Sequence, residues 1–239
     1  MNLFLIGIFW ILAIFLSTSF IALYIKKTKK SEVITALYVL YIAMAQILAA
    51  KLVQIGDFAV PAAVLIFPFT FQLTDTMNEH FGQKATHQMI LIAFVSQILF
   101  VIFVFFGNEL EPAAFWTIDN NQWLAIFSQT FGITAASWIS YLVTENLDAV
   151  LYNKIRGWTQ GKHLWIRNVL SDIPSLALDS VIFITLGFGI LSPTPAWSMI
   201  GTLIINQMLL KWFFGVIDTP FMYLDRFLVG QGLIQEKSN

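Results

Sequence analysis

The residues able to do chemistry fall into four short stretches. The densest is FPFTFQLTDTMNEHFG, Phe67 to Gly82. At helical spacing Thr70, Thr74 and Asn78 share one face, with Asp75 and Glu79 one position round. Phe67, Phe69 and Phe71 alternate with other residues just ahead of the acids. Pro68 is expected to interrupt a helix near mid-depth, and freed backbone beside carboxylates is one way to build a binding site in a membrane. The second stretch holds Arg167, Asn168, Ser171, Asp172, Ser175 and Asp179 at steps of three and four, a polar stripe with Pro174 inside it. The third carries Glu145, Asn146 and Asp148, the two acids three apart on one face. The fourth places Gln207, Lys211 and Asp218 on one face, with Lys211 as a counter-charge for Asp179 or Glu145.

Plainer readings stand beside these. Ser and Asn on a helix face can glue helices together. Asp75, Asn78 and Glu79 could simply mark a helix end that meets water. Asp148 could be solvated or paired with Lys154 or Arg167, and Lys211 could snorkel to an interface.

The elements that must position these groups follow from composition. Of 239 residues, 58% are hydrophobic and only 11% are charged, against about 25% in an ordinary globular domain. Mean hydropathy is +0.75. This excludes a water-soluble enzyme and a disordered chain, and the absence of cysteine excludes a disulfide scaffold. A net charge of −1 offers no broad basic surface for nucleic acid. The fold class expected is all-α, a polytopic transmembrane helical bundle whose partner is the lipid bilayer.

About seven apolar stretches are long enough to span. They cover Leu3–Ile25, Val33–Ala50, Phe58–Thr74, Gln88–Phe106, Phe127–Leu151, Val169–Leu191 and Ala196–Ile217. Strands are a poor alternative, because the apolar runs are continuous rather than alternating. The first stretch has no basic residue before it and is read as a retained helix rather than a signal peptide. With seven spans, all of the 13 basic residues except Lys51 and Lys211 fall on one side. The positive-inside rule then puts the N-terminus outside and the C-terminus inside. The longest irregular stretch, Gly107–Trp123, carries Glu109, Glu111, Asp119 and two tryptophans and suits an external interfacial segment. Residues 1–239 read as one domain, without an internal repeat.

Catalytic readings find little support. No G-x-x-x-x-G-K-[ST] phosphate loop occurs. His80, His87 and His163 lack zinc-ligand spacing, and His80 and His87 read as polar loop residues. Asp172 and Asp179, two turns apart, are too distant for one tight magnesium cluster without other helices. A serine hydrolase would need a histidine deep in a span, and none is expected there. Neither a catalytic residue, a metal nor a cofactor is therefore expected.

The chain resembles the family of queuosine precursor transporters, also called the vitamin uptake transporter group. One block is FP-x-T-F-x-x-T-D-x-x-N-E-x-x-G, here Phe67, Pro68, Thr70, Phe71, Thr74, Asp75, Asn78, Glu79 and Gly82. A second is A-S before a helix ending in L-D, here Ala136, Ser137, Leu147 and Asp148. A third is W-x-R-N-x-x-S with a later D, here Trp165, Arg167, Asn168, Ser171 and Asp179. The blocks lie in order within residues 34–223, and residues 3–25 form an extra N-terminal span.

The resemblance implies a multi-pass protein of a prokaryotic cell membrane that imports 7-deazaguanine precursors for tRNA modification. Such a flat, neutral base offers N–H donors to a carboxylate and faces to aromatic rings. Contacts are then expected from Phe67, Thr70, Phe71, Thr74, Asp75, Asn78 and Glu79. Ser137, Tyr141, Glu145 and Asp148 would join them from the fifth span, with Phe69 and Trp138 as further stacking candidates. Arg167, Asn168, Ser171, Ser175 and Asp179 would contribute from the sixth, and Lys211 from the seventh. Many relatives have an amide at Glu145, Gln or Asn at Leu176, and an uncharged residue at Asp172. A related base or a different coupling ion would be a natural consequence. Buried acids permit proton coupling. The alternatives are a substrate-binding subunit of an energy-coupling-factor complex with a separate ATPase module, an intramembrane enzyme, or a structural protein. A homo-oligomer is left open.

Overall fold

A computed structural model describes residues 3–49, 51–127, 131–160, 162–191 and 197–230. Its described elements are α1 (Leu3–Thr28), α2 (Glu32–Ala49), β1 (Leu52–Ile55), β2 (Phe58–Pro61), a 3-10 turn (Ala62–Leu65), α3 (Phe67–Phe81), α4 (Gln83–Glu109), α5 (Asn120–Phe127), α6 (Phe131–Trp158), α7 (Leu164–Ile184), its π-helical continuation (Thr185–Leu191) and α8 (Trp197–Val229). The fold is a bundle of helices with no soluble lobe among the described residues.

Five of these helices are long and apolar enough to cross a membrane: α1, α2, α4, α7 with its continuation, and α8. α6 has the length, at 28 residues, but it carries Glu145, Asp148, Lys154 and Arg156. α3 has only 15 residues, a rise of about 22 Å, short of a hydrocarbon core of about 30 Å. The outward faces of the spanning helices are apolar: Phe9, Leu16, Leu91, Phe103 and Phe213 are all exposed, as lipid-facing positions should be.

The expected third span is corrected by the fold. Phe58–Thr74 is not one helix. Its first part is strand β2, paired antiparallel with β1 through Ile55↔Phe58 and Leu52↔Pro61. Gly56 closes the two-residue hairpin at φ 58°, a conformation that favours glycine. Pro68 does not interrupt a helix either. It sits in the first turn of α3, where its missing N–H and fixed φ cost nothing. The helix then continues past Thr74 to Phe81, so Asp75, Asn78 and Glu79 are buried rather than at a wet helix end. Likewise Gly107–Trp123 is not wholly irregular, because α4 runs to Glu109 and α5 begins at Asn120.

α3 is the central element. Every residue from Pro68 to His80 is buried, because α2, α4, α6 and α8 pack around it. Polar side chains hold it in place. Gln72 Nε2 donates to Thr18 Oγ1 at 2.8 Å, and Asn78 Nδ2 donates to the Ala149 carbonyl at 3.3 Å. α1 braces the segment ahead of it, with Trp10 Nε1 donating to the Leu65 carbonyl at 2.8 Å and the Trp10 ring edge-on to Phe69. Pro174 lies inside α7 without ending it.

Candidate functional site

The site residues form three layers along the bundle. On α3 the layers pass through Glu79, Asp75 and Phe71; on α6 through Tyr152, Asp148 and Glu145. Steps of three and four keep each series on one face of its helix. α7 runs the opposite way, from Arg167 and Asn168 through Asp172 to Asp179, a rise of about 18 Å.

The first layer is a clamp. Arg167 Nη2 meets Glu79 Oε2 at 2.7 Å, and Arg167 Nε donates to the Tyr152 hydroxyl at 3.2 Å. That hydroxyl donates to Glu79 Oε2 at 3.2 Å, closing a triangle across α3, α6 and α7. Arg156 caps the α3 end by donating to the carbonyls of Asn78 and Glu79, each at 3.2 Å. His80 and Asp225 form a second buried pair at 2.7 Å between α3 and α8. His80 is thus not a loop residue, because α3 extends a turn beyond the expected span. His87 is not one either; on α4 it contacts Asn146 at 2.6 Å.

The middle layer holds Asp75, Asp148 and Asp172. Asp148 is fully buried and has no base beside it, so the readings of a solvated or Lys154-paired acid do not hold. Arg167, its other proposed partner, is given to Glu79.

The third layer is a cavity. It encloses about 670 Å³ of atom-free space, mouth included. Phe67 and Phe71 line it from α3, Ser137, Tyr141, Thr144 and Glu145 from α6, and Asp179 and Phe183 from α7. Gln46, Gln97 and Gln207 add amides from α2, α4 and α8. Thr74 Oγ1 donates to Glu145 Oε2 at 2.8 Å, orienting that carboxylate. Ser140 Oγ donates to Asp179 Oδ1 at 2.7 Å, and Lys211 donates to Asp179 Oδ2. The Lys211 ammonium also stands 3.6 Å from the centre of the Phe67 ring, a cation–π contact. Lys211 does not snorkel; it is buried.

The structure therefore divides the expected site. Phe67, Phe71, Ser137, Tyr141, Glu145 and Asp179 surround the cavity. Thr74 and Lys211 stand behind it, each bonded to an acid that lines it. Thr70 turns back to the Phe67 carbonyl. Asp75, Asp148, Asn168, Ser171 and Ser175 lie in and beside the middle layer, whereas Asn78, Glu79 and Arg167 lie at the clamp. Phe69 packs against Trp10 and Tyr41, and Trp138 against Phe94. Sequence reasoning missed Gln46, Gln97 and Phe183 as lining residues. The available signal was an isolated amide within each of two apolar spans.

Buried polar atoms in the cavity wall remain open for a ligand. Among the described residues, Gln97 Nε2 and Gln207 Oε1 have no hydrogen-bond partner. Gln46 Nε2 donates to Gln97 Oε1 at 2.8 Å, fixing the orientation of that amide. A donor, an acceptor, a carboxylate and aromatic faces around one cavity suit a flat polar solute, held at its edges and stacked on its faces.

A helical membrane bundle with a polar cavity closed at one end by ion pairs has the form of a small-solute transporter. Residues 61–224 match the family described as "Putative vitamin uptake transporter", and the chain belongs to that family. It is 25% identical over 180 residues to a protein of Bacillus subtilis named "Probable queuosine precursor transporter", covering 75% of this chain and 77% of the relative. A Haemophilus influenzae protein of the same name is 27% identical over 158 residues, covering 64% of this chain and 62% of the relative. No solved structure gives a significant match. The chain is a multi-pass membrane transporter, not an enzyme.

Proposed function

We propose that this transporter imports a 7-deazaguanine-type nucleobase, a precursor of queuosine or archaeosine, across the prokaryotic cell membrane. The observation that carries this reading is the cavity itself. Glu145, Asp179 and three glutamines lie at its edges, and Phe67, Phe71, Tyr141 and Phe183 supply ring faces. The aminopyrimidinone edge of such a base presents adjacent N–H donors, which a carboxylate accepts in pairs. Its exocyclic carbonyl oxygen and its unprotonated ring nitrogen suit the open Gln97 donor. The names of the two relatives support the same substrate class.

Seven crossings, the third made by the hairpin and 3-10 turn together with the short α3, with the N-terminus outside and the clamp at the cytoplasmic end, accommodate the basic residues. In that orientation the cavity lies in the outer half and the Glu79–Arg167–Tyr152 triangle is the closed inner gate. Transport then requires the triangle to part while the cavity closes above the solute. Proton coupling is the energy source favoured, because Glu145 and Asp179 line the cavity as buried acids able to carry a proton.

A binding test uses purified protein in detergent. A 7-deazaguanine base should raise its melting temperature by linkage, adenine should not, and Glu145→Gln should abolish the shift. Equal shifts with both bases would contradict the substrate assignment. Reconstitution in liposomes tests the coupling. Accumulation driven by an imposed proton gradient, without a partner protein, supports proton coupling. Accumulation only with an added ATPase module would favour an energy-coupling-factor subunit.

A further inference from the structure

Between the cavity and the clamp, three helices bring one aspartate each to the same place, and a fourth helix adds another beside them. They are Asp75 of α3, Asp148 of α6, Asp172 of α7 and Asp218 of α8, and none is more than 2% exposed. One carboxylate oxygen from each of Asp75, Asp148 and Asp172 lies within 4.8 Å of the others. Asp218 comes from a fourth helix, next to Thr219, whose hydroxyl bonds Asn168, and its charge bears on Asp75 and Asp172.

Little in the surroundings answers these charges. Among the described residues, Asp75 Oδ1, Asp172 Oδ1 and both oxygens of Asp148 and Asp218 accept no hydrogen bond. One amide reaches the cluster, and the other nearby donors are shared with backbone carbonyls. Asn168 Nδ2 bridges Asp75 Oδ2 at 2.6 Å and Asp172 Oδ2 at 3.3 Å, while Thr219 fixes its other end by donating to Asn168 Oδ1 at 2.7 Å. Ser171 and Ser175 flank Asp148, near enough to soften its charge, while their hydroxyls bond the carbonyls of Asn168 and Ser171. The buried bases are engaged too, Arg167 with Glu79, Lys211 with Asp179, and His80 with Asp225. Gly215, one turn before Asp218, lets α8 lie close. A Cβ there would stand 3.3 Å from Leu176 Cδ1 and 3.7 Å from Asp172 Oδ2.

Carboxylates gathered out of water without a base need a positive partner to be stable. The donor set is oxygen alone, which selects hard cations over metals that favour nitrogen or sulfur. An ion equidistant from three oxygens no more than 4.8 Å apart would lie no more than about 2.8 Å from each, so a shift of a few tenths of an ångström by the side chains brings calcium–oxygen bonds into range. Two positive charges offset more of the four negative ones than a single charge does.

We propose that Asp75, Asp148, Asp172 and Asp218 form a buried site for a hard divalent cation of the calcium–magnesium class. The ion ties α3, α6, α7 and α8 together directly beneath the solute cavity. Asp75 follows Thr74, the residue that orients Glu145, and Asp148 is one turn from Glu145, so ion and solute share two helices. This departs from the expectation that no metal is bound. Acids spread over four helices show no ligand spacing in the sequence.

The test uses the full chain in detergent, treated with a chelator and then dialysed against calcium-45. About one ion should bind per chain in the wild type. Calcium or magnesium should raise the melting temperature, while sodium at equal ionic strength should not. The isosteric variants Asp148→Asn and Asp172→Asn should bind calcium at least about ten-fold more weakly. Glu145→Gln should keep the calcium response yet lose that to a 7-deazaguanine base. No bound divalent ion in the wild type would overturn the proposal, whatever the variants do. So would a melting temperature that ignores both ions but climbs on acidification, which would assign protons to the cluster. Binding that persists unchanged in both variants places the ion elsewhere and also overturns it. If the nucleobase still stabilises the protein in either of those cases, the transport reading stands alone.

Discussion

Lys211 of α8 donates to Asp179 of α7 while its ammonium lies 3.6 Å from the ring centre of Phe67 on α3. Three helices thus meet at one buried charge pair on the cavity wall. Removing one partner of such a pair leaves the other charged and unsatisfied, a loss of about 3–5 kcal/mol.

Lys211→Met should therefore lower stability by that order, and Asp179→Asn should lose transport. The double variant Asp179→Leu/Lys211→Met should recover much of the stability but none of the transport. Thermal unfolding of the single and double variants, read beside uptake, checks this. Uptake restored in the double variant would make the pair structural only.

At the clamp, Arg167→Met should destabilise the protein by about 3–5 kcal/mol, because Glu79 is left buried without its partner. Tyr152→Phe removes one hydroxyl from the triangle and should cost only about 1 kcal/mol. Denaturation in detergent gives the ranking. Equal effects would mean that the triangle does not close through Arg167.

Gln207→Leu removes an open buried acceptor from the cavity wall. Its effect should appear as about a ten-fold rise in KM, roughly the contribution of one hydrogen bond. The same change should leave stability nearly unaltered, since Gln207 Oε1 has no protein partner among the described residues. An unchanged KM would remove Gln207 from the binding surface.

α1 lies outside the family match at 61–224, yet Thr18 accepts from Gln72 of α3. Thr18→Val should leave that buried amide unsatisfied and cost about 1–3 kcal/mol. Trp10→Phe should likewise loosen the 3-10 turn by removing the bond to Leu65. Loss of stability with retained substrate preference is the expected result, measured by thermal unfolding and competition uptake.

Much of this was legible in the residues. Low charge identified the membrane class, and the four-residue spacing of Thr70, Thr74 and Asn78 correctly implied a helix. Lys211 was recognisable as a counter-charge, because a lysine within an apolar span needs an acid. The start of α3 was misread, since Val60 to Phe67 is apolar enough to continue a helix. Pairing of Ile55 with Phe58 across Gly56 depends on a partner strand that local hydropathy does not show. The division of the acids into three layers was also hidden. Asp75 and Glu79 lie on one face of α3, but only the packing of α6 and α7 assigns one to a cluster and the other to an arginine. Gln46 and Gln97 were overlooked for the same reason, being single amides brought together from two helices.

The most direct test of the central claim is uptake of a labelled 7-deazaguanine base by cells that cannot synthesise it. Cells expressing the wild-type chain should accumulate label well above empty cells, and those expressing equal amounts of Glu145→Gln or Asp179→Asn should not. Wild-type uptake no greater than that of empty cells would contradict the account.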